Sequence, residues 1–347
     1  MLRRLSTISR PLVDPGIAVI LGLAIGALLM LIFGYDPIAG YYWLFRGGFG
    51  SIKDIVETLA FATPLMLTAV TFAVGMKAGL FNIGAEGQVY IGAAGAAAIG
   101  GWVTLPVGIH IAAATAFGMF FGVLWALPAA ILKLWRGVHE VISTIMLNYV
   151  ARYLAIYLVV YWLAGPRAEV SNPAMGSARY PLLVGGTSLT AAIFVAVAFC
   201  IVVYAFLWRT RAGYELRLSG TNPEAANYAG VSVRRAMLIS FIVGGLAAGL
   251  AGATQVLGRP PTWALFADLG NVIELGFYGI AVALMGRNHP IGGIFAAIFF
   301  GGLLHGGRYM EYQVGIASEL VTGIQGIIVI CLAVPGLWAI IRRRRFK

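Results

Sequence analysis

The chain has 347 residues, of which 60% are hydrophobic and 11% are charged, and its mean hydropathy is +0.89. Soluble domains carry roughly a quarter charged residues, so this composition excludes an ordinary soluble protein. The formal net charge of +11 suggests nucleic acid as a partner. The apolar composition favours another explanation, because basic residues in short loops fix the orientation of membrane proteins.

Apolar runs long enough to cross a bilayer, about 20 residues each, recur from end to end of the chain. We therefore predict an all-α polytopic membrane protein, with about ten transmembrane helices in a single domain covering 1–347. The predicted spans are 17–33, 57–76, 84–104, 107–132, 141–163, 187–208, 236–257, 271–285, 291–304 and 318–340. Two of them, 271–285 and 291–304, are short, and the sequence leaves open whether they cross fully or are re-entrant.

The N-terminal region has features of both a signal peptide and a first span. A basic start precedes the run 17–33, as in a secretory signal, but the run ends at the sequence GYD without a small-residue cleavage site. We interpret it as a retained span. The next run, 40–56, is too short and too polar to span. Its tyrosines and tryptophan predict an interfacial helix at the outer headgroup level.

The Lys and Arg residues are distributed unevenly between the predicted loops. With the N-terminus placed inside, 17 of the 24 fall in inside segments, six fall outside, and Arg152 lies within a span. Because basic residues in short loops stay in the cytoplasm, both termini and the loop 209–235 are predicted to be cytoplasmic.

The loop 209–235 is the longest polar interruption between the spans, and a helix of about two turns is predicted inside it. Its start combines a capping side chain, a proline at the first helical position and an acid at the positive end of the helix dipole. A helix of this kind usually only caps a bundle at the water interface. The residues that define it are Asn222, Pro223, Glu224, Ala225, Ala226 and Gly230.

A second polar stretch, 77–95, contains five glycines and lies at the start of an apolar run. Ionisable residues at membrane depth usually face a cavity or a partner, and irregular backbone there is tolerated only where it is buried or lines water. Glu86 would then lie in a broken helix. Alternatively, Glu86 lies at the interface, caps the next helix and pairs with Lys77. The sequence does not decide between the two.

Three segments together resemble the permease subunits of ABC transporters, in the subgroup that handles branched-chain amino acids, ribose-type sugars and nucleosides. They are GLFNIGAEGQVYIGA from Gly79, HEVISTIMLNYVARYL from His139, and NPEAANYAG from Asn222. The second segment is most similar to the nucleoside or simple-sugar branch. The resemblance covers about 55–335 and is more specific for the permease than for its substrate.

The resemblance implies the membrane-spanning subunit of an ATP-driven importer in the bacterial plasma (inner) membrane, which translocates a nucleoside or similar small polar solute by alternating access. It also implies a second permease subunit, identical or homologous, ABC ATPase subunits and an extracytoplasmic solute-binding protein. The predicted helix in 209–235 would dock onto the ATPase, with small Ala225 and Ala226 against a close partner wall.

No G-x-x-x-x-G-K-[ST] phosphate loop occurs in the sequence. ATP and Mg²⁺ are therefore expected on the partner ATPase, because this loop is the usual cradle for nucleotide phosphates. We expect no catalytic site, metal or cofactor in this chain itself, and no nucleic-acid partner.

Polar and aromatic residues in or beside the spans are the candidates for a substrate pathway, since an uncharged solute with hydroxyls and an aromatic base needs hydrogen-bonding groups and stacking rings. Interhelical hydrogen bonding explains any one of them equally well. Glu274 and Glu319 are placed near the outer ends of their spans, where acids are usually solvated. The candidates are Asn82, Glu86, Gln88, Asn148, Tyr149 and Phe277.

Other functions remain open from the sequence. The same architecture can import branched-chain amino acids or sugars. An ion-coupled secondary transporter, working alone, would use Glu86 or Glu274 as the coupling acid. A membrane subunit without transport activity is a further alternative. Co-purification of an ATPase separates an importer subunit from a secondary transporter.

Overall fold

The computed structural model describes residues 2–165 and 169–333, with side chains for 16–165 and 169–331. Regular structure in this part is helical, and β-structure is limited to three isolated bridges. The helices are α1 (Leu2–Ile32), α2 (Pro37–Phe49), α3 (Ile52–Lys77), α4 (Ala85–Trp102), α5 (Ile109–Arg136), α6 (Glu140–Tyr161), α7 (Ala192–Arg209), α8 (Arg211–Thr221), α9 (Pro223–Tyr228), α10 (Val233–Leu257), α11 (Leu275–Met285), α12 (Pro290–Val314) and α13 (Ser318–Ala333). The all-α prediction is confirmed.

Six helices are long and apolar enough to cross a membrane, which agrees with a multi-pass protein. They are α3, α5, α6, α7, α10 and α12. The total of about ten spans and the cytoplasmic position of both termini stay predictions. Arg167, the end of the predicted span 318–340 and the basic residues at 342–347 lie outside the described residues.

Two predicted boundaries were wrong. Helix α12 has 25 residues and is long and apolar enough to cross a membrane, unlike the short run 291–304, because its polar second half remains helical. The run 40–56 is divided between α2 and α3. Helix α2 begins at Pro37 because the Asp36 side chain accepts a hydrogen bond from the Ile38 N–H at 2.9 Å. The apolar part of α1, Gly16–Ile32, agrees with the predicted run 17–33, and the helix itself begins earlier, at Leu2.

The chain divides into two compact units. The first contains Met1–Thr58 and Phe299–Lys347. Its described core is apolar and includes Met30, Leu44 and Ile324, and α1 packs against α13 within it. Whether the two units act as the single predicted domain stays a prediction.

The second unit, Leu59–Ile298, is built around α4, which packs against α5, α6, α10 and α11. Glycines bring these backbones together. A Cβ on Gly92 would lie 2.5 Å from the Gly249 Cα and 3.0 Å from the Gly118 carbonyl oxygen. Helix α4 is buried along most of its length, including Glu86 and Gln88. The other helices therefore shield its polar side chains from lipid.

Candidate functional site

The connection between α3 and α4 turns back into the second unit. Gly79, with φ +74°, turns the chain after α3, and the Asn82 Oδ1 accepts from the Gly84 N–H at 2.9 Å. Asn148 on α6 fixes the other side of this turn. Its amide nitrogen donates to the Ile83 carbonyl at 3.0 Å, and its oxygen accepts from the Gly87 N–H at 2.9 Å.

Glu86 accepts three hydrogen bonds at the start of α11. Its carboxyl oxygens accept from the backbone N–H of Glu274 at 2.5 Å, the backbone N–H of Gly276 at 2.6 Å and the hydroxyl of Tyr90 at 2.5 Å. A Cβ on Gly276 would lie 2.5 Å from the Glu86 Cα, so only glycine fits there. Glu86 thus caps the N-terminus of α11, whose first N–H groups lack partners within the helix.

This cap lies at the level of α6, a helix that is long and apolar enough to cross a membrane. Helix α11 has 11 residues, and at 1.5 Å per residue it measures about 16 Å, about half of a 30 Å hydrocarbon core. Asn148, next to the cap, is about 12 Å along α6 from Glu140. The start of α11 is therefore the broken end of a half-helix at membrane depth, the arrangement that lines solute sites in many transporters.

The predicted pathway residues separate into two groups. Asn82, Glu86, Gln88 and Asn148 are buried together around the start of α4, and the Gln88 Oε1 is buried without a hydrogen-bond partner in the part of the chain that the structure describes. Tyr149 and Phe277 lie on α6 and α11 and are 58% and 48% exposed. The first group shapes the backbone of the broken helices, and the second is presented on the surface of the chain.

Two charged residues accompany the exposed group. Arg152, near the middle of α6, and Glu274, at the start of α11, are both exposed. Both lie within electrostatic range of the Tyr90 hydroxyl. The Glu274 carboxylate accepts from the Tyr278 hydroxyl at 3.0 Å. No other described side chain forms an ion pair within 4.0 Å of Arg152.

The positions of two acids bear on the sequence interpretation. Glu274 precedes the short helix α11, and its N–H binds the buried Glu86, while its place near the outer end of a span stays a prediction. Glu86 is 2% exposed, and so it is not an interfacial residue. It caps α11, 188 positions along the chain, and not the helix that follows it. Lys77 instead lies 5.9 Å from the centre of the Trp208 ring.

The loop 209–235 contains two short helices, α8 and α9, where one was predicted. Asn222 caps α9 by accepting from the Ala225 N–H at 3.0 Å, and Pro223 occupies its first turn. Gly230 ends it with φ +76°. The Val231 N–H then donates to the Ala226 carbonyl at 2.9 Å, as in a glycine C-cap. These local expectations are confirmed, whereas docking onto an ATPase stays a prediction.

The exposed side of α9 differs from the expected one. Ala226 is 0% exposed and lies inside this chain, so its small side chain is explained by packing here and not by a partner wall. Glu224 and Ala225 are exposed, as is Asn227. Tyr228 is 96% exposed. An aromatic side chain held out from a short rigid helix is typical of an interface anchor.

A cluster of cations and aromatic rings links α8 to the turn between α11 and α12. The Arg217 guanidinium carbon lies 5.4 Å from the centre of the Trp208 ring, and the His289 ring lies 4.7 Å from Trp208 and 5.3 Å from Tyr204. Burial, and then the nearby Lys77 ammonium, lower the pKa of His289 below its usual value.

Sequence reasoning missed Tyr90 as a hydrogen-bond donor, Trp208 as the centre of the cation cluster, and Tyr228 as an exposed ring. Tyr90 carried a local signal, because it lies four residues after Glu86 and shares its helix face. Trp208 and Tyr228 carried none, since their surroundings depend on contacts between distant segments.

Comparison with known proteins identifies the family. Residues 55–333 match the family described as branched-chain amino acid transport system / permease component. The guanosine ABC transporter permease protein NupP of Bacillus subtilis is 38% identical over 96% of this chain and 95% of that protein. The nucleoside ABC transporter permease protein NupB of Lactococcus lactis is 33% identical over 94% of this chain and 92% of that protein.

The glucose ABC transporter permease protein TsgB13 of Haloferax volcanii is also 33% identical, over 92% of this chain and 86% of that protein. No solved structure matches the chain. The family match covers well over half of the sequence, and the relatives align over nearly their full length. The chain belongs to the family of permease components of branched-chain amino acid transport systems.

Proposed function

We propose that this chain is the membrane-spanning subunit of an ATP-driven importer that carries a nucleoside across the bacterial plasma membrane. Family membership supports the permease role, and the similarity to NupP and NupB supports a nucleoside substrate. The observation that carries the transport role is the exposure of Arg152 and Glu274 at the depth of a broken helix.

Exposed charges at this depth do not face lipid. A charged side chain near the bilayer centre costs at least about 2.5–3.5 kcal/mol, and such residues almost always face a water-filled cavity or a partner. Arg152 on α6 and Glu274 on α11 are also accompanied by Tyr149 and Phe277, which offer ring faces for stacking. This surface of α6 and α11 therefore suits one wall of a pathway for a polar solute.

A second permease subunit, identical or homologous, would supply the opposite wall. The surface formed by α6 and α11 is open in the single chain, so a pathway between two subunits encloses it. Helix α11 contributes a short half-helix to this wall, and Glu86 holds its start. Alternating access follows if the two subunits rock about this wall.

The α8–α9 segment is the proposed contact with the ATPase. Its exposed surface contains Glu224, Ala225 and Tyr228, and its inner side is attached through Arg217 to Trp208. A displacement of α9 would therefore be transmitted to the ends of α7 and α11 through packed side chains. ATP and Mg²⁺ would be bound by the partner, and this chain would convert closure of the ATPase into rearrangement of its helices.

The ion-coupled alternative has weaker support. Its coupling acid would be Glu86 or Glu274, and Glu86 is engaged with two backbone N–H groups and a tyrosine hydroxyl. A carboxyl group that holds a helix end is poorly placed to exchange ions during each cycle. Glu274 is exposed, and its role is better explained by the pathway.

Two measurements test the proposal. The tagged chain, purified from membranes in mild detergent, should bring an ABC ATPase with it, and cells lacking the chain should lose uptake of labelled guanosine at nanomolar to micromolar concentration. Tyr228→Ala should release the ATPase. Tyr312→Ala is the matched control, because it removes a similarly exposed ring from α12, and it should retain the ATPase. Unchanged uptake without the chain, or no ATPase in the purified complex, would contradict the proposal.

A sugar is the second candidate substrate, and the 33% identity to TsgB13 favours it. Sugars also stack the C–H faces of their rings on aromatic side chains, so the exposed rings of Tyr149 and Phe277 suit both classes. Competition distinguishes the two classes. A tenfold excess of unlabelled nucleoside should abolish uptake of labelled nucleoside, and the same excess of glucose should leave it unchanged. Inhibition by glucose alone would support the sugar importer.

A further inference from the structure

We propose that Arg152 and Glu274 read the nucleobase edge of the solute, and that they select bases that present a ring N–H donor beside a carbonyl acceptor. The inference rests on the proposed nucleoside importer and adds a site of selection within the permease itself. Three features carry it: the two opposite charges, the absence of an ion pair between them in the described part of the chain, and the backbone of Glu274.

The two charges flank the same turn of α4: Arg152 lies one turn after Asn148, which binds the Gly87 N–H, and the Glu274 N–H binds Glu86. Both are within electrostatic range of the Tyr90 hydroxyl, yet no ion pair within 4.0 Å joins them in the described part of the chain. Unlike charges at membrane depth pair readily, since the attraction is strong where water is scarce. A pair that stays apart and exposed leaves room for a ligand group between a donor and an acceptor.

The backbone at Glu274 indicates that its side chain is needed. Glu274 has φ +67°, in the left-handed region. For a residue with a Cβ this conformation costs roughly 1–2 kcal/mol, and glycine avoids the cost. Glycine occurs freely nearby, at Gly270, Gly276 and Gly279. The strained glutamate lies at the mouth of the half-helix, where strain of this kind is associated with function.

The chemistry of the pair suits an oxo-purine. A guanidinium donates two parallel N–H groups to a carbonyl oxygen and a ring nitrogen, the pattern that O6 and N7 of guanine offer. A carboxylate accepts from ring and exocyclic N–H groups. Tyr149 and Phe277, on the same two helices, are exposed and can stack on the base. Adenine lacks the ring N–H and the carbonyl, so it offers the carboxylate only its exocyclic amine and the guanidinium only ring nitrogens, and it pairs less well with both charges.

Inosine and adenosine form a matched pair of probes, because they differ only at this edge of the base. The complete transporter is reconstituted with its ATPase and second permease, and import is measured at saturating loaded binding protein. Discrimination between the nucleosides by the binding protein then does not affect the measured import rates. The wild-type chain should import inosine faster than adenosine.

Three variants isolate the side chains. Glu274→Gln should lower the ratio of inosine to adenosine import about tenfold, because a glutamine amide pairs with the adenine edge. Arg152→Met, which keeps the apolar stem, should lower inosine import and leave adenosine import nearly unchanged. Glu274→Gly should keep the backbone and lose the preference. Glu319→Gln, an exposed acid on α13, should leave the ratio unchanged.

The outcomes are distinguishable. If complexes with the wild-type chain and with every variant import neither nucleoside, the proposed function is contradicted. A wild-type complex that imports both, with variants that slow them equally or not at all, would contradict the base-reading role alone. Loss of the second permease subunit from the purified Arg152→Met or Glu274→Gln complex would also overturn it, because the charges would then serve subunit contact.

Discussion

Replacement of Glu86 by glutamine tests whether the cap on α11 holds the broken helix in place. In the native chain one carboxyl oxygen accepts from Tyr90 and Glu274 and the other from Gly276. A glutamine has one oxygen and one NH₂ group, so its amide would present a donor to the Gly276 N–H or to the other two donors. At least one buried N–H loses its partner, which costs about 1–3 kcal/mol.

We expect Glu86→Gln to lower the midpoint of thermal unfolding of the detergent-purified complex and to reduce uptake more than Glu319→Gln does, at equal membrane levels. Glu86→Ala should lower the midpoint further, because it leaves three donors unpaired. The exposed Glu319 serves as the control acid. An unfolding midpoint and uptake rate equal to wild type in Glu86→Gln would refute the cap.

Three further predictions concern the side of the chain that is proposed to be cytoplasmic. Gly230→Ala should destabilise the end of α9 by about 1–2 kcal/mol, because the residue has φ +76°. An added Cβ would meet open space, so the cost comes from the backbone alone. More protease cleavage after α9 in the variant would support this prediction, and equal cleavage would contradict it. His289 has a lowered pKa, so the folded chain binds its proton less readily than the unfolded chain, and stability is lost as the pH falls below about 6.5. His289→Phe should flatten the dependence of the unfolding midpoint between pH 7 and 5, and an unchanged slope would contradict the burial of a neutral ring. Tyr228→Cys should resist an impermeant thiol reagent in intact cells and Val184→Cys should react, whereas the reverse pattern would invert the orientation.

Features set by neighbouring residues were predictable from the sequence. Asn222 and Pro223 start α9 and Gly230 ends it, because caps and left-handed turns depend on a few adjacent residues. The six long apolar helices follow from hydropathy in the same way.

Features set by distant contacts were not predictable. Glu86 and Gly276 meet across 190 positions, and nothing in either segment indicates the partner. Ala226 looked like a surface residue because alanine is compatible with either side of a helix. The length of α12 was underestimated because its second half is polar, with His305, Arg308 and Glu311. Hydropathy detects segments that suit contact with lipid, so it does not detect a helical segment made of polar residues.

The most direct test of the account measures what drives uptake. Proteoliposomes that contain this chain, its second permease and its ATPase are loaded with ATP, and labelled inosine is added outside with the binding protein. The account predicts that inosine is concentrated inside with trapped ATP, and not with a non-hydrolysable analogue, whether or not a proton or sodium gradient is present. Concentration driven by an ion gradient in the absence of ATP would contradict it.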